Sequence, residues 1–153
     1  MLQDYIIDIV GTQKIDGDSD TVEVTTLGHY EEKNTGKYII YKEFDSDNPE
    51  IEKTAVVKVE NENKITIIRY GNLGSRLTLE LNRRHQCHYN TIAGPLMIGV
   101  FANKMNLCLN NNRGCLDVGY TIDFNSDLVS ENNFKISFKK LDKKNKETEK
   151  DGM

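Results

Sequence analysis

A chain of 153 residues with 37% hydrophobic content has the size of one domain and can bury roughly 68–70% of its unfolded surface without disulfides or metals. Its formal net charge of -4 disfavours a general nucleic-acid binder, because an acidic surface repels a phosphate backbone. Three cysteines, an odd number, argue against a disulfide framework and point to the reducing cytoplasm.

Along the chain the pattern has a period of two. The first run, MLQDYIIDIVGT, carries Asp4 and Asp8 among its apolar residues and lacks a basic start. It reads as a strand over 2–12, and neither as a secretory leader nor as a membrane span. Further strands are expected near 20–33, 37–44, 52–60, 63–70 and 75–81, the last with Leu77, Leu79 and Leu81 on one face. The segments 85–92 and 95–109 follow, and the longest nearly apolar stretch, Pro95–Phe101, is far too short to cross a bilayer. Alternation is clearest at 114–126, where Leu116, Val118, Tyr120, Ile122 and Phe124 share a face, and at 131–141, with Phe134, Ile136 and Phe138. Turn formers stand between the runs: Asp16–Asp20, Asn34–Gly36, Asn61–Asn63, Gly71–Gly74 and Asn110–Gly114.

Consecutive strands with short links form a meander, and one of about eight to ten strands must curl shut or split to protect its edges. The expectation is an all-β fold, a single antiparallel meander barrel over 1–141. A two-sheet sandwich, bent within 95–109 and 114–126, is the alternative. From Asp142 to Asp151 acids and lysines balance and no apolar residue occurs, which predicts a charged disordered tail over 142–153.

An ordered series of short motifs runs through this frame: Gly28-His29-Tyr30, Tyr38-x-x-Tyr41-x-Glu43, Thr54, Ile68-Arg69-Tyr70-Gly71 and Tyr89-x-Thr91-x-x-Gly94, then Gly114 and Tyr120. In order and spacing it resembles the YwiB-like family of small bacterial proteins of unknown function. The resemblance covers most of the chain and implies a calycin-type barrel, lipocalin-like in shape. One departure is Asn82–His88, which stands where the family pattern has a plainer, glycine-containing hairpin. Calycin resemblance also implies an interior ligand, although a fold by itself does not fix a function.

The remaining conspicuous residues sort by face. The His85-x-Cys87-His88 cluster, with Cys108 and Cys115, has metal-ligand chemistry. A hairpin through Asn82–Arg84, however, puts Cys87 inward opposite Leu79 and His88 outward, while Cys108 opposes Cys115 on the outside. Ligands on opposite faces of a wall cannot share one ion, so no metal or cofactor is expected, and the thiols read as buried or half-buried. His29 falls on the outer face, solvated, and no serine or cysteine has the histidine and carboxylate setting of a nucleophile, so no catalysis is expected. Arg76, Arg83 and Arg84 read as a solvated hairpin tip, and neither nucleic acid nor membrane is an expected partner.

Register through Asn61–Asn63 pairs Val59 with Ile65 and Val57 with Ile67, so the next inward residue is Arg69. An inward arginine needs a partner, and Glu43 shares a face with Tyr41 and Ile39. Tyr89 and Thr91 lie on the Leu-facing side of their strand. The expected function is non-catalytic binding of a small amphipathic or anionic ligand in the interior, at Tyr41, Glu43, Arg69, Tyr89 and Thr91. The alternative is a filled barrel, without ligand, that recruits a protein partner or a second copy.

Overall fold

The computed structural model describes residues 3–44, 50–71 and 73–142, so the expected tail lies, apart from Asp142, outside the described residues. The described residues form ten strands: β1 (Tyr5–Ile15), β2 (Asp18–Lys33), β3 (Gly36–Phe44), β4 (Glu52–Asn61), β5 (Lys64–Tyr70), β6 (Ser75–Glu80), β7 (Arg84–Thr91), β8 (Gly94–Leu109), β9 (Arg113–Phe124) and β10 (Asp127–Lys140). Each runs antiparallel to its sequence neighbours, and β1 also pairs with β10, from Tyr5↔Lys140 to Lys14↔Glu131. The meander therefore closes into a barrel, and the sandwich is excluded.

Two hairpins are tighter than their composition suggests. Asp16 and Gly17 both take positive φ, 50° and 86°, so β1 extends to Ile15 and β2 begins opposite it at Asp18. Asn125 and Ser126 do the same at 51° and 71°, and β10 begins at Asp127 instead of 131. Two-residue turns of this kind twist in the sense of the strands they join, which favours them over longer loops.

The links alternate between the two ends of the barrel. One end carries the β2–β3, β4–β5, β6–β7 and β8–β9 links together with Tyr5 and Lys140. Its interior is solid beneath a rim groove of about 490 Å³ bordered by the β2–β3 and β4–β5 links, Leu107 and Leu109. Tyr30 and Phe138 stack with ring centroids 4.4 Å apart, and Tyr5 meets them edge-on at 6.1 and 5.7 Å. Ile7, Ile39, Ile65, Leu79, Leu116 and Ile136 fill the neighbouring layers, essentially without exposure. Burying each such side chain stabilises the fold by about 1.5–3 kcal/mol. Two glycines make room: a Cβ on Gly28 would strike the Ile40 carbonyl and the Ile7 side chain, and one on Gly114 would lie 2.6 Å from the Phe138 ring.

One joint in the ring differs from the others. Strands β6 and β7 share a single registered pair, Ser75↔Tyr89. Side chains of β7 span the rest of the joint. Asn90 Nδ2 donates to the Gly74 carbonyl at 2.6 Å, the Thr78 amide donates to Cys87 Sγ at 3.5 Å, and His85 Nε2 lies 2.7 Å from Glu80 Oε1.

Cys87 faces inward and is 6% exposed, whereas Cys108 and Cys115 are exposed on the outer face, not buried or half-buried. His29 is also corrected. It stands on the outer face, but its side chain is only 15% exposed, held 2.7 Å from Asp4 and 3.6 Å from Glu31. Register brings this about, because Ile6 opposes Leu27 and the preceding Asp4 therefore comes alongside His29.

Candidate functional site

Toward the end that carries the β1–β2, β3–β4, β5–β6, β7–β8 and β9–β10 links, the interior is not filled. A cavity of about 700 Å³ opens there, with an apolar wall of Ile9, Val22, Val24, Phe44, Ile67 and Phe134. Val22 and Val24 share the inward parity of Gly28 and Tyr30, yet they are 62% and 44% exposed. The β1–β2 hairpin carries them past the packed layers to the mouth of the barrel.

The polar side grows out of one lateral row. Register carries Tyr5, Gly28, Tyr41, Ala55, Arg69, Ser75 and Tyr89 across β1 to β7 in succession, so large side chains alternate with small ones. A small neighbour on each side gives a long side chain room to lean into the interior. Tyr41 and Arg69 use that room, with Ala55 between them.

Glu43 lies two residues beyond Tyr41 on the same face and accepts from Arg69 Nε with both oxygens, at 3.2 and 3.1 Å. The two side chains are 37% and 31% exposed, so this is a half-open pair that adds about 0–1 kcal/mol to stability. Its bonds run through Nε and leave the terminal nitrogens of the guanidinium outside the pair. Burial alone would lower the Arg69 pKa; the Glu43 charge, followed by the Tyr41 phenol, raises it instead. Burial also pushes the Tyr41 phenol up, with the Glu43 charge adding to the shift. The Tyr120 phenol is likewise raised by burial, against an opposing pull from Arg69. Both phenols therefore stay protonated, and able to donate, across the ordinary pH range.

Of the residues expected at the site, Tyr41, Glu43 and Arg69 come together on the cavity. Tyr89 and Thr91 do not line it. Tyr89 follows Ser75 in the row, but it stands across the sparsely bonded β6–β7 joint and is 43% exposed. The Thr91 hydroxyl donates to the Gly94 carbonyl at 2.6 Å within its own hairpin, and so local an acceptor prevails over a reach across the barrel. Tyr120, Asn132 and Phe134 were missed. They belong to β9 and β10, which ring closure brings round to the cavity. The inward parity of Tyr120 was the available signal for it. Among the described residues no group of three or more His, Cys, Asp or Glu side chains is placed to hold a metal ion. Among the same residues no helix is long and apolar enough to cross a membrane.

Comparison with known proteins bears on the architecture. The barrel is similar to the crystal structure of the YwiB protein from Bacillus subtilis, with a TM-score of 0.78 over 90% of this chain and 92% of that one. Their sequences are 17% identical, so the likeness shows the fold alone. No curated protein matches the chain. The model of a domain of unknown function, DUF1934, matches residues 7–136, from β1 into β10, and the chain belongs to that family.

Proposed function

We propose that this barrel is a non-catalytic cytoplasmic protein that holds a small amphipathic or anionic molecule in the open half of its interior. The observation that carries the reading is the cavity of about 700 Å³ with Arg69 on its wall. That volume falls within the about 300–1,000 Å³ usual for ligand pockets. The terminal nitrogens of Arg69 offer a paired donor edge for a carboxylate, sulfonate or phosphate oxygen pair. Tyr41 and Tyr120 add neutral donors beside it, and Val22, Val24 and Phe44 give an apolar tail a path to the mouth. Two accessible free thiols suit a reducing compartment.

Fluorescence titration with anilinonaphthalene sulfonate, an amphipathic anion, tests the proposal. Saturable binding is expected, weakened at least about tenfold by Arg69→Met, which removes one charge-assisted contact. No saturable binding, or equal binding by the variant, overturns it.

A second reading rests on a different observation. Phe44, Tyr70, Leu73, Ile92, Leu128 and Val129 are exposed at the mouth end, and most of them lie outside the cavity lining. An apolar rim of that kind suits a protein partner. It would be the better account of the molecule should the cavity prove unable to take the probe.

A further inference from the structure

We propose that Cys108 and Cys115 form a reversible dithiol site on the outer wall, which takes up oxidising equivalents from small disulfides by closing into an intramolecular cross-strand disulfide. The two residues are direct register partners on β8 and β9, between Leu107↔Leu116 and Leu109↔Gly114. Both are free and accessible, whereas Cys87 is 6% exposed behind the wall with the Thr78 amide on its sulfur. Three cysteines thus divide into one shielded thiol and one matched pair.

The spacing permits the bond and also keeps it labile. Directly opposed residues of an antiparallel ladder have Cα atoms about 4.5–5.5 Å apart, inside the range of about 4.4–6.8 Å that a disulfide bridges. Their Cβ atoms stand about 4.5–5.5 Å apart, against about 3.5–4.5 Å in a disulfide, so closure draws the two strands together and strains them. Strained, exposed disulfides are the easily reduced ones. The closed loop is short and its hairpin is already held by the ladder, so the bond adds little by restricting the unfolded chain. These features describe a redox site and not a structural staple.

The exchange balances with a low-molecular-weight disulfide such as oxidised glutathione as the oxidant. One cysteine thiolate attacks a sulfur of the small disulfide, forms a mixed disulfide and releases the first small thiol. The second cysteine then attacks the protein sulfur of that mixed disulfide and releases the second small thiol. The protein gives up two electrons and two protons, and the small disulfide is reduced to two thiols.

Incubation of the full chain with oxidised glutathione, followed by alkylation of free thiols in denaturant and intact-mass measurement, tests this. The expected product is monomeric, has lost two hydrogens, and carries one alkylated thiol at Cys87. Trypsin cuts after Arg113, between the two cysteines, so the peptides 105–113 and 114–135 should remain joined until reductant is added. Cys108→Ser should instead accumulate a single glutathione adduct at Cys115. The proposal is overturned by stable glutathione adducts at both positions of the unaltered protein, by disulfide-linked dimers, or by an unreacted pair.

Discussion

The two ends of this barrel are built from the same strands, and they differ in what the inward positions carry. At the solid end those positions hold Ile7, Ile39, Ile65, Leu79 and Leu116 under a lid of Tyr5, Tyr30 and Phe138. At the mouth end they hold Val22, Val24, Glu43 and Arg69, which leave about 700 Å³ unfilled between them. Stability and site therefore occupy separate halves of one wall. The packed half supplies the burial that keeps the ring shut, which frees the other half to carry a charged pair that adds little to stability.

Substitutions test that division. Phe138→Ala should cost about 3–5 kcal/mol by urea denaturation, since a large ring leaves a cavity in the solid half. Its folded fraction should bind the anionic probe as before. If binding falls in parallel with stability, the halves are not independent.

Acid is the next lever, and it acts on the wall. Asp123 is held below the usual carboxylate range by its hydrogen bonds from Arg84, and Glu80 by the one from His85. Burial works against ionisation at Asp117, but hydrogen bonds from Lys104 and Asn133 bring it below the range as well. The folded chain thus favours the ionised form of all three. Their stabilisation is complete above ordinary carboxylate values and is lost as pH falls through the lowered ones. Melting temperature should hold level down to about pH 4.5 and then drop. A decline that begins near neutrality would implicate other groups.

At the mouth the expected effects on stability are small. Arg69→Met should shift stability by less than about 1 kcal/mol while it weakens the probe. Val24→Ser should shift stability by no more than about 0.5 kcal/mol, as at an exposed position, and should still loosen an apolar tail measurably in the same titration. A large loss of stability from either would mean that the mouth is part of the core.

Much of this was legible in the residues. Period-two alternation placed nearly every strand, and parity put Arg69 and Cys87 inside and the other two cysteines outside. That success has a simple cause: side-chain direction in a strand is fixed locally, residue by residue. What escaped was of two kinds. The turns at Asp16-Gly17 and Asn125-Ser126 use fewer residues than their polar runs contain, because the strands on either side gain ladder pairs by absorbing the remainder. Proximity across the ring was hidden altogether. Nothing local says that β9 and β10 face the Arg69 row, or that β6 and β7 share one pair, because both depend on how the whole ring closes.

Closure through β1 and β10 also has a consequence for the order of events during synthesis. Across this joint the partner of Tyr5 is Lys140, so a chain made from its N-terminus keeps one edge of β1 open until β2 to β9 have been made. Such non-local pairing is slow to form, and an open edge in the meantime can template the wrong strand. Asp4 and Asp8, which interrupt the apolar run of the first strand, place charge along that waiting edge and discourage addition of a foreign strand. In the finished barrel the same two carboxylates are reused, Asp4 beside His29 and Asp8 as the acceptor for the Thr25 hydroxyl.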